Sequence, residues 1–374
     1  MLSVLVVSPD PGVPGGVSVF VECLKRHFQG GKADSFYVGS AGKGVEPLFS
    51  VLSRLIKAPF HLCRLVKQRP YDLVHINPSF DAKSLIRDGI LLLALRRAGY
   101  DRIFMYFHGW DRALQKRVLG RGWGQGLLRR SAAWLLNKAA LISVLGADFR
   151  DGLVAMGVDP ARIAVTHTMF EGAELKAAQR DTPQNGRNSP QRPYILFMSR
   201  FDPEKGAREL LQGFAALAAD YPDYDLVLAG DGPYMGFLRT ETKILGLDAR
   251  VTFPGYVTGA DKWRLLRDCS LFALPTYYGR EGMPVAVLEA MGAGKPVLAG
   301  SAGSLRALLS DPENGVVLDT VTAESVASGL RRLLSDPEAA KEIGRRNAEL
   351  AWNKYEAHAV TAEIESFYRK VAQC

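Results

Sequence analysis

Gly279-Arg-Glu-Gly-Met-Pro-Val-Ala-Val-Leu-Glu-Ala-Met-Gly-Ala-Gly294 sets Glu281 on a glycine-flanked loop and Glu289 eight residues later in a short apolar segment. Pro284 suits the first position of a helix, where its missing N–H would have no intrahelical partner anyway. Val285, Val287, Leu288, Ala290 and Met291 make most of that helix apolar and predict its burial, and Gly292-Ala-Gly294 stops it. A buried helix start offers free N–H groups and a partial positive charge, a setting for a phosphate. Carboxylates touching such an anion would repel it. Glu281 and Glu289 are therefore expected to grip neutral hydroxyls on either side of a diphosphate, the shape of a nucleotide sugar.

Upstream of this stretch the chain alternates strands and helices. Tyr194–Met198 reads as a strand leading to Ser199-Arg-Phe-Asp-Pro-Glu-Lys-Gly206 and a helix. Asp225–Ala229 runs into Gly230-Asp-Gly-Pro233, Val251–Phe253 into Pro254-Gly-Tyr256, and Leu271–Pro275 into the opening stretch. This rhythm predicts a parallel sheet flanked by helices, with ligands at the carboxyl ends of the strands. Arg200 and Lys205 fall at that rim, a planar fork and a point charge that both suit a diphosphate.

The first half follows the same plan. Leu2–Ser8 is a buried strand rather than a signal peptide, followed by Pro11-Gly-Val-Pro-Gly-Gly16 and a helix from about Val17. Such a loop brings backbone close to a phosphate or sugar, although it is not G-x-G-x-x-G. Ile103–Phe107 is a strand whose carboxyl end carries His108-Gly109. Between the halves, Lys176–Pro193 is polar and rich in Gly, Pro and Asn, as a linker is. The expected organisation is a domain over 1–175, a linker over 176–193, a second domain over 194–350, and a helical segment over 351–374 crossing back to the first.

A length of 374 residues suits two domains, and 47% hydrophobic with 23% charged residues marks a globular chain. Cys23, Cys63, Cys269 and Cys374 have no paired or metal-type spacing, which argues for a reducing compartment and against structural zinc. Residues 1–175 hold 23 Lys/Arg against 14 Asp/Glu, while the remainder holds 24 against 25. The basic excess thus belongs to the first half and points to an anionic partner there. Two basic amphipathic segments, Val51–Arg69 and Leu114–Lys138, suit an anionic membrane surface, or a core-facing stripe with a solvated basic face. The expected place is cytoplasmic, peripheral at the inner face of the cell membrane.

S-R-F-D-P-E-K-G, A-G-D-G-P, F-P-G-Y-V and E-G-M-P-V-A-V-L-E-A-M-G-A-G-K-P-V, in that order, resemble the retaining glycosyltransferases of family 4. The resemblance implies an α/β GT-B fold, two Rossmann-like domains with parallel sheets facing across a cleft. It implies that Arg200 and Lys205 hold the donor diphosphate, Glu281 the donor-sugar hydroxyls and Glu289 the ribose. By the same resemblance, Met283 and Val285 meet phosphate through their N–H groups, and Gly255, Tyr256 and Val257 line the base pocket. Gly15 and Gly16 approach the donor from the other domain, and His108 sits beside the sugar. Transfer is expected with retention, without a bound metal and without a cofactor, the nucleotide sugar being a co-substrate. Asp223-Tyr-Asp225, a D-x-D, falls at a strand start and reads as structural. Expected partners are a UDP- or GDP-linked donor, a saccharide or lipid-linked acceptor of bacterial surface polysaccharide synthesis, and the membrane. Around Ala302-Gly303 and Arg306 the chain departs from the family's Gly-Gly and acid.

Three other classes compete with this reading. A sugar-nucleotide epimerase shares the fold. A non-catalytic polysaccharide-assembly subunit would not be expected to keep Arg200, Lys205, Glu281, Glu289 and His108. A nucleic-acid-binding protein lacks support, since no helix-turn-helix, zinc or RNA-binding signature is present.

Overall fold

The computed structural model describes residues 1–12, 15–39, 48–180, 192–309 and 313–374. Two compact units emerge: Met1–Met169 with Ala357–Cys374, and Phe170–Glu356.

The first unit begins β1 (Leu2–Ser8), α1 (Gly16–His27), β2 (Gly31–Tyr37), α2 (Leu48–Gln68), β3 (Leu73–Ile76) and α3 (Ala82–Arg97). It continues with β4 (Ile103–Tyr106), α4 (Arg112–Leu119), α5 (Trp123–Leu136), β5 (Leu141–Val144), α6 (Ala147–Met156) and β6 (Ile163–Val165). The second unit holds α7 (Gly172–Arg180), β7 (Tyr194–Met198), α8 (Ala207–Ala215), β8 (Asp225–Ala229), α9 (Met235–Ile244), β9 (Val251–Gly255) and α10 (Gly259–Asp268). After these come β10 (Leu271–Leu274), α11 (Val285–Gly292), β11 (Val297–Gly300), α12 (Leu305–Leu308), β12 (Gly315–Leu318), α13 (Ala323–Leu334) and α14 (Pro337–Lys354). The last helix, α15 (Ala357–Ala372), returns to the first unit.

Each unit is built on one six-stranded sheet, ordered β2-β1-β3-β4-β5-β6 in the first and β12-β11-β10-β7-β8-β9 in the second. The pairings are parallel. Parallel strands need helical crossovers, which cover both faces, so inner strands become continuous apolar runs. Leu73–Ile76, Ile103–Tyr106 and Leu271–Leu274 are buried at every position. The edge strands β2 and β9 instead alternate between covered and exposed residues. Strand order reverses between β1 and β3 in one sheet and between β7 and β10 in the other, and ligands of open α/β sheets collect at such points.

Three boundaries differ from expectation. Lys176–Arg180, read as the start of the linker, closes helix α7, and 181–191 lie outside the described residues. Ala351, read as the start of the returning segment, lies inside α14, and the return begins at Ala357. Pro284 is the N-cap of α11 rather than its first residue, with φ −66° and ψ 119°.

Candidate functional site

In the second unit the loops after β7 and β10 carry the expected charges, and backbone contacts stitch these loops together. Tyr277 N donates to Glu204 O at 2.9 Å, and the Thr276 hydroxyl lies 3.3 Å from the same carbonyl. Gly206 has φ +78°, and a Cβ there would meet the Pro275 carbonyl at 2.1 Å, so only glycine lets the loops approach this closely. On the far side, Ser304 N and Oγ both donate to Gly282 O, at 2.9 and 3.2 Å, and hold the segment that carries Glu281.

Lys205 and Glu281 meet in this frame. Lys205 Nζ lies 2.6 Å from Glu281 Oε2, with side-chain exposures of only 12% and 10%. The Thr276 hydroxyl donates to the same carboxylate oxygen at 3.1 Å, and the ammonium sits 4.7 Å from the centre of the Tyr278 ring. Arg200 is placed otherwise: its guanidinium pairs with Asp202 at 2.6 Å and its side chain is 65% exposed.

Glu289 is buried within α11, its carboxylate 2.7 Å from Lys262 Nζ. Burial raises its pKa, while Lys262 acts in the opposite sense. Each acid is thus matched by a lysine, so the pair does not present a bare negative field to an incoming anion. The first turn of α11 has no side-chain cap and no acidic residue, and within it Val287 N donates to Pro284 O at 3.1 Å. Val285 is half-buried there and Met283 is buried just before it. Gly255 ends β9 with φ +80° and accepts from Gly230 N at 2.8 Å. Tyr256 beyond it is exposed, and Val257 half-buried. Asp225, of the D-x-D, opens β8 and holds Arg250 at 3.1 Å, at the end of the strand opposite the ligand rim.

In the first unit, Gly15 caps α1 in extended backbone, and a Cβ on Gly15 or Gly16 would meet nothing within 4 Å. No side chain caps that helix and no acid sits in its first turn. His108 follows β4 at the same rim, half-buried between the rings of Phe20 and Tyr106, each 4.7 Å away. Burial pulls its pKa down to about 3, so the ring is neutral at physiological pH. Its Nε2 lies 2.8 Å from Asn77 Oδ1.

The sequence reading missed Thr276, Tyr278, Lys262 and Asn77. Asn77 and Thr276 stand directly after or two residues beyond strand ends, at the reversal points, which is a signal that the topology rule supplies.

Residues 179–350 match the model of glycosyl transferases group 1, and residues 7–168 that of the glycosyl transferase 4-like domain. The phosphatidyl-myo-inositol mannosyltransferase of Mycolicibacterium smegmatis is 26% identical over 343 residues, 90% of this chain and 82% of that protein. The alpha-D-kanosaminyltransferase of Streptomyces kanamyceticus is 27% identical over 241 residues, 63% of this chain and 62% of that protein. Among solved structures, Anabaena HepE in complex with UDP and glucose has a TM-score of 0.71 at 19% identity, over 99% of this chain and 100% of that one. A glycosyltransferase of Rickettsia africae has a TM-score of 0.77 at 14% identity, over 99% and 98%. The structural likenesses carry the GT-B fold, and the two models together span nearly the whole length. The chain belongs to the family 4 GT-B glycosyltransferases.

Proposed function

We propose that this glycosyltransferase works with retention, without a metal ion or cofactor, moving a sugar from a UDP- or GDP-linked donor to a saccharide or lipid-linked saccharide acceptor of bacterial surface polysaccharide synthesis. The observation that carries it is the half-buried Lys205–Glu281 pair at the reversal point of the second sheet. Two relatives, a phosphatidyl-myo-inositol mannosyltransferase and a structure in complex with UDP and glucose, support the donor class and a lipid-borne acceptor.

In this account Lys205 turns from Glu281 to the diphosphate, joined by Arg200 and by the N–H groups of Val285 and Met283. Glu281 then accepts hydrogen bonds from sugar hydroxyls. Glu289, steadied by Lys262, accepts from the ribose, and Gly255, Tyr256 and Val257 meet the base. Gly15 and Gly16 leave space for the donor, and neutral His108 accepts from a sugar hydroxyl. The bond from the anomeric carbon to the diphosphate breaks as that to the acceptor oxygen forms on the same face. The acceptor's proton passes to an oxygen of the departing diphosphate. Cations and helix dipole placed where that charge develops supply the stabilisation the step needs. Glu281→Ala should abolish transfer in a folded protein; transfer at the wild-type rate by the purified variant would refute the assignment.

An anionic membrane surface is proposed as the place of reaction. Right-handed crossovers put α2, α3 and α5 on one face of the first sheet. On them Phe49, Phe60, Ile86, Trp123, Leu127 and Trp134 are exposed, Trp123 at 92%. Lys57, Arg64, Lys67, Arg129 and Arg130 are exposed among them. Aromatic anchors set among cations suit the interface of an anionic bilayer. Among the described residues no helix is long and apolar enough to cross a membrane.

A further inference from the structure

Asn77 stands directly after β3, buried to 4% exposure beside the reversal point of the first sheet. Its side chain makes two contacts. Nδ2 donates to the Val7 carbonyl at 3.1 Å, and Oδ1 faces His108 Nε2 at 2.8 Å. A carbonyl oxygen only accepts, so the Val7 contact requires the NH2 end of the amide on that side. The carbonyl end must therefore face His108, and a carbonyl end can be satisfied only by a donor. We propose that Asn77 is a positioning residue that fixes His108 as the Nε2–H tautomer and so presents its Nδ1 lone pair to the donor sugar as a hydrogen-bond acceptor.

The surroundings agree with a neutral, oriented ring. Phe20 meets it edge-on at 72° and Tyr106 lies tilted at 37°, so the imidazole is packed on two sides. Two titratable neighbours, His75 and Tyr106, are themselves uncharged. His75, on β3, is fully buried and its pKa is driven well down by burial, while burial pushes the Tyr106 phenol up. With the ring neutral, one nitrogen is a donor and the other an acceptor, and Asn77 decides which is which. Loss of the amide would release that choice. The Nδ1–H tautomer would then oppose a donor to a hydroxyl hydrogen.

The inference rests on the proposal that His108 meets the donor sugar, but its first test does not. Long-range nitrogen–proton correlation spectra of histidine-labelled wild-type protein should show His108 with its proton on Nε2 at neutral pH. A proton on Nδ1 overturns the inference. Asn77→Leu should give a mixture of tautomers and raise the donor KM about 3- to 10-fold, the range of one neutral hydrogen bond, with kcat within about twofold. An Asn77→Leu protein that keeps the single Nε2–H form and an unchanged KM also overturns it. His108→Phe with an unchanged donor KM would overturn the contact between His108 and the sugar, while the tautomer result would still stand.

Discussion

Replacing Lys205 by alanine strips the cation from a carboxylate whose side chain is 10% exposed. Removing one partner of a buried pair costs about 3–5 kcal/mol, because the remaining charge is left desolvated. The Thr276 hydroxyl still donates to Glu281 Oε2, which places the expected loss at the lower end, about 3 kcal/mol. Glu281→Ala strands the ammonium over the Tyr278 ring and should cost a similar amount. The double variant removes both charges, so its loss should fall short of the sum by at least about 2 kcal/mol. Lys205→Ala should also remove a charge-assisted contact to the diphosphate, about 1.5–3 kcal/mol, which weakens UDP or GDP binding roughly 10- to 150-fold. Urea unfolding of the four proteins measures the coupling, and calorimetry with UDP and GDP measures the binding. Additive stability losses, or nucleotide affinity unchanged in Lys205→Ala, would refute the reasoning.

Three further outcomes are expected. Gly15→Ala should leave the melting temperature nearly unchanged, because the backbone is extended and a Cβ meets nothing, yet raise the donor KM; an unchanged KM would show that the donor does not approach there. Because burial raises the Glu289 pKa, the folded state holds an extra proton between the ordinary glutamate value and the raised one. Wild-type stability relative to Glu289→Gln should therefore fall as pH rises through that window, and urea unfolding from about pH 4 to pH 7 showing the opposite slope would contradict the shift. Trp123→Ser with Trp134→Ser should reduce flotation with anionic vesicles while zwitterionic vesicles float little of either protein; equal flotation of wild type and variant on anionic vesicles would remove the aromatic face from the membrane account.

The fold was legible because inner parallel strands are short apolar runs that end in glycine or proline, as at Leu271–Pro275. Edge strand β2, Gly-Lys-Ala-Asp-Ser-Phe-Tyr, escaped notice since half of its surface stays polar. Glu281, Glu289 and Lys205 were legible from spacing around strand ends. Their partners were not: Lys262 precedes Glu289 by 27 positions, and Asn77 precedes His108 by 31. Such contacts arise only when helices and neighbouring strands are placed side by side. Arg200 shows the opposite failure, for a sequence cannot tell that Asp202, two residues on, takes its guanidinium. The amphipathic segments could equally have faced the core. In the structure Leu62 and Leu136 do face inward, whereas Phe60 and Trp134 do not.

The central claim is transfer from a nucleotide sugar with retention at the anomeric carbon. Proton NMR of the product formed from an α-linked UDP- or GDP-sugar reads it directly through the anomeric coupling. An α-linked product is predicted, and a β-linked product would contradict the account.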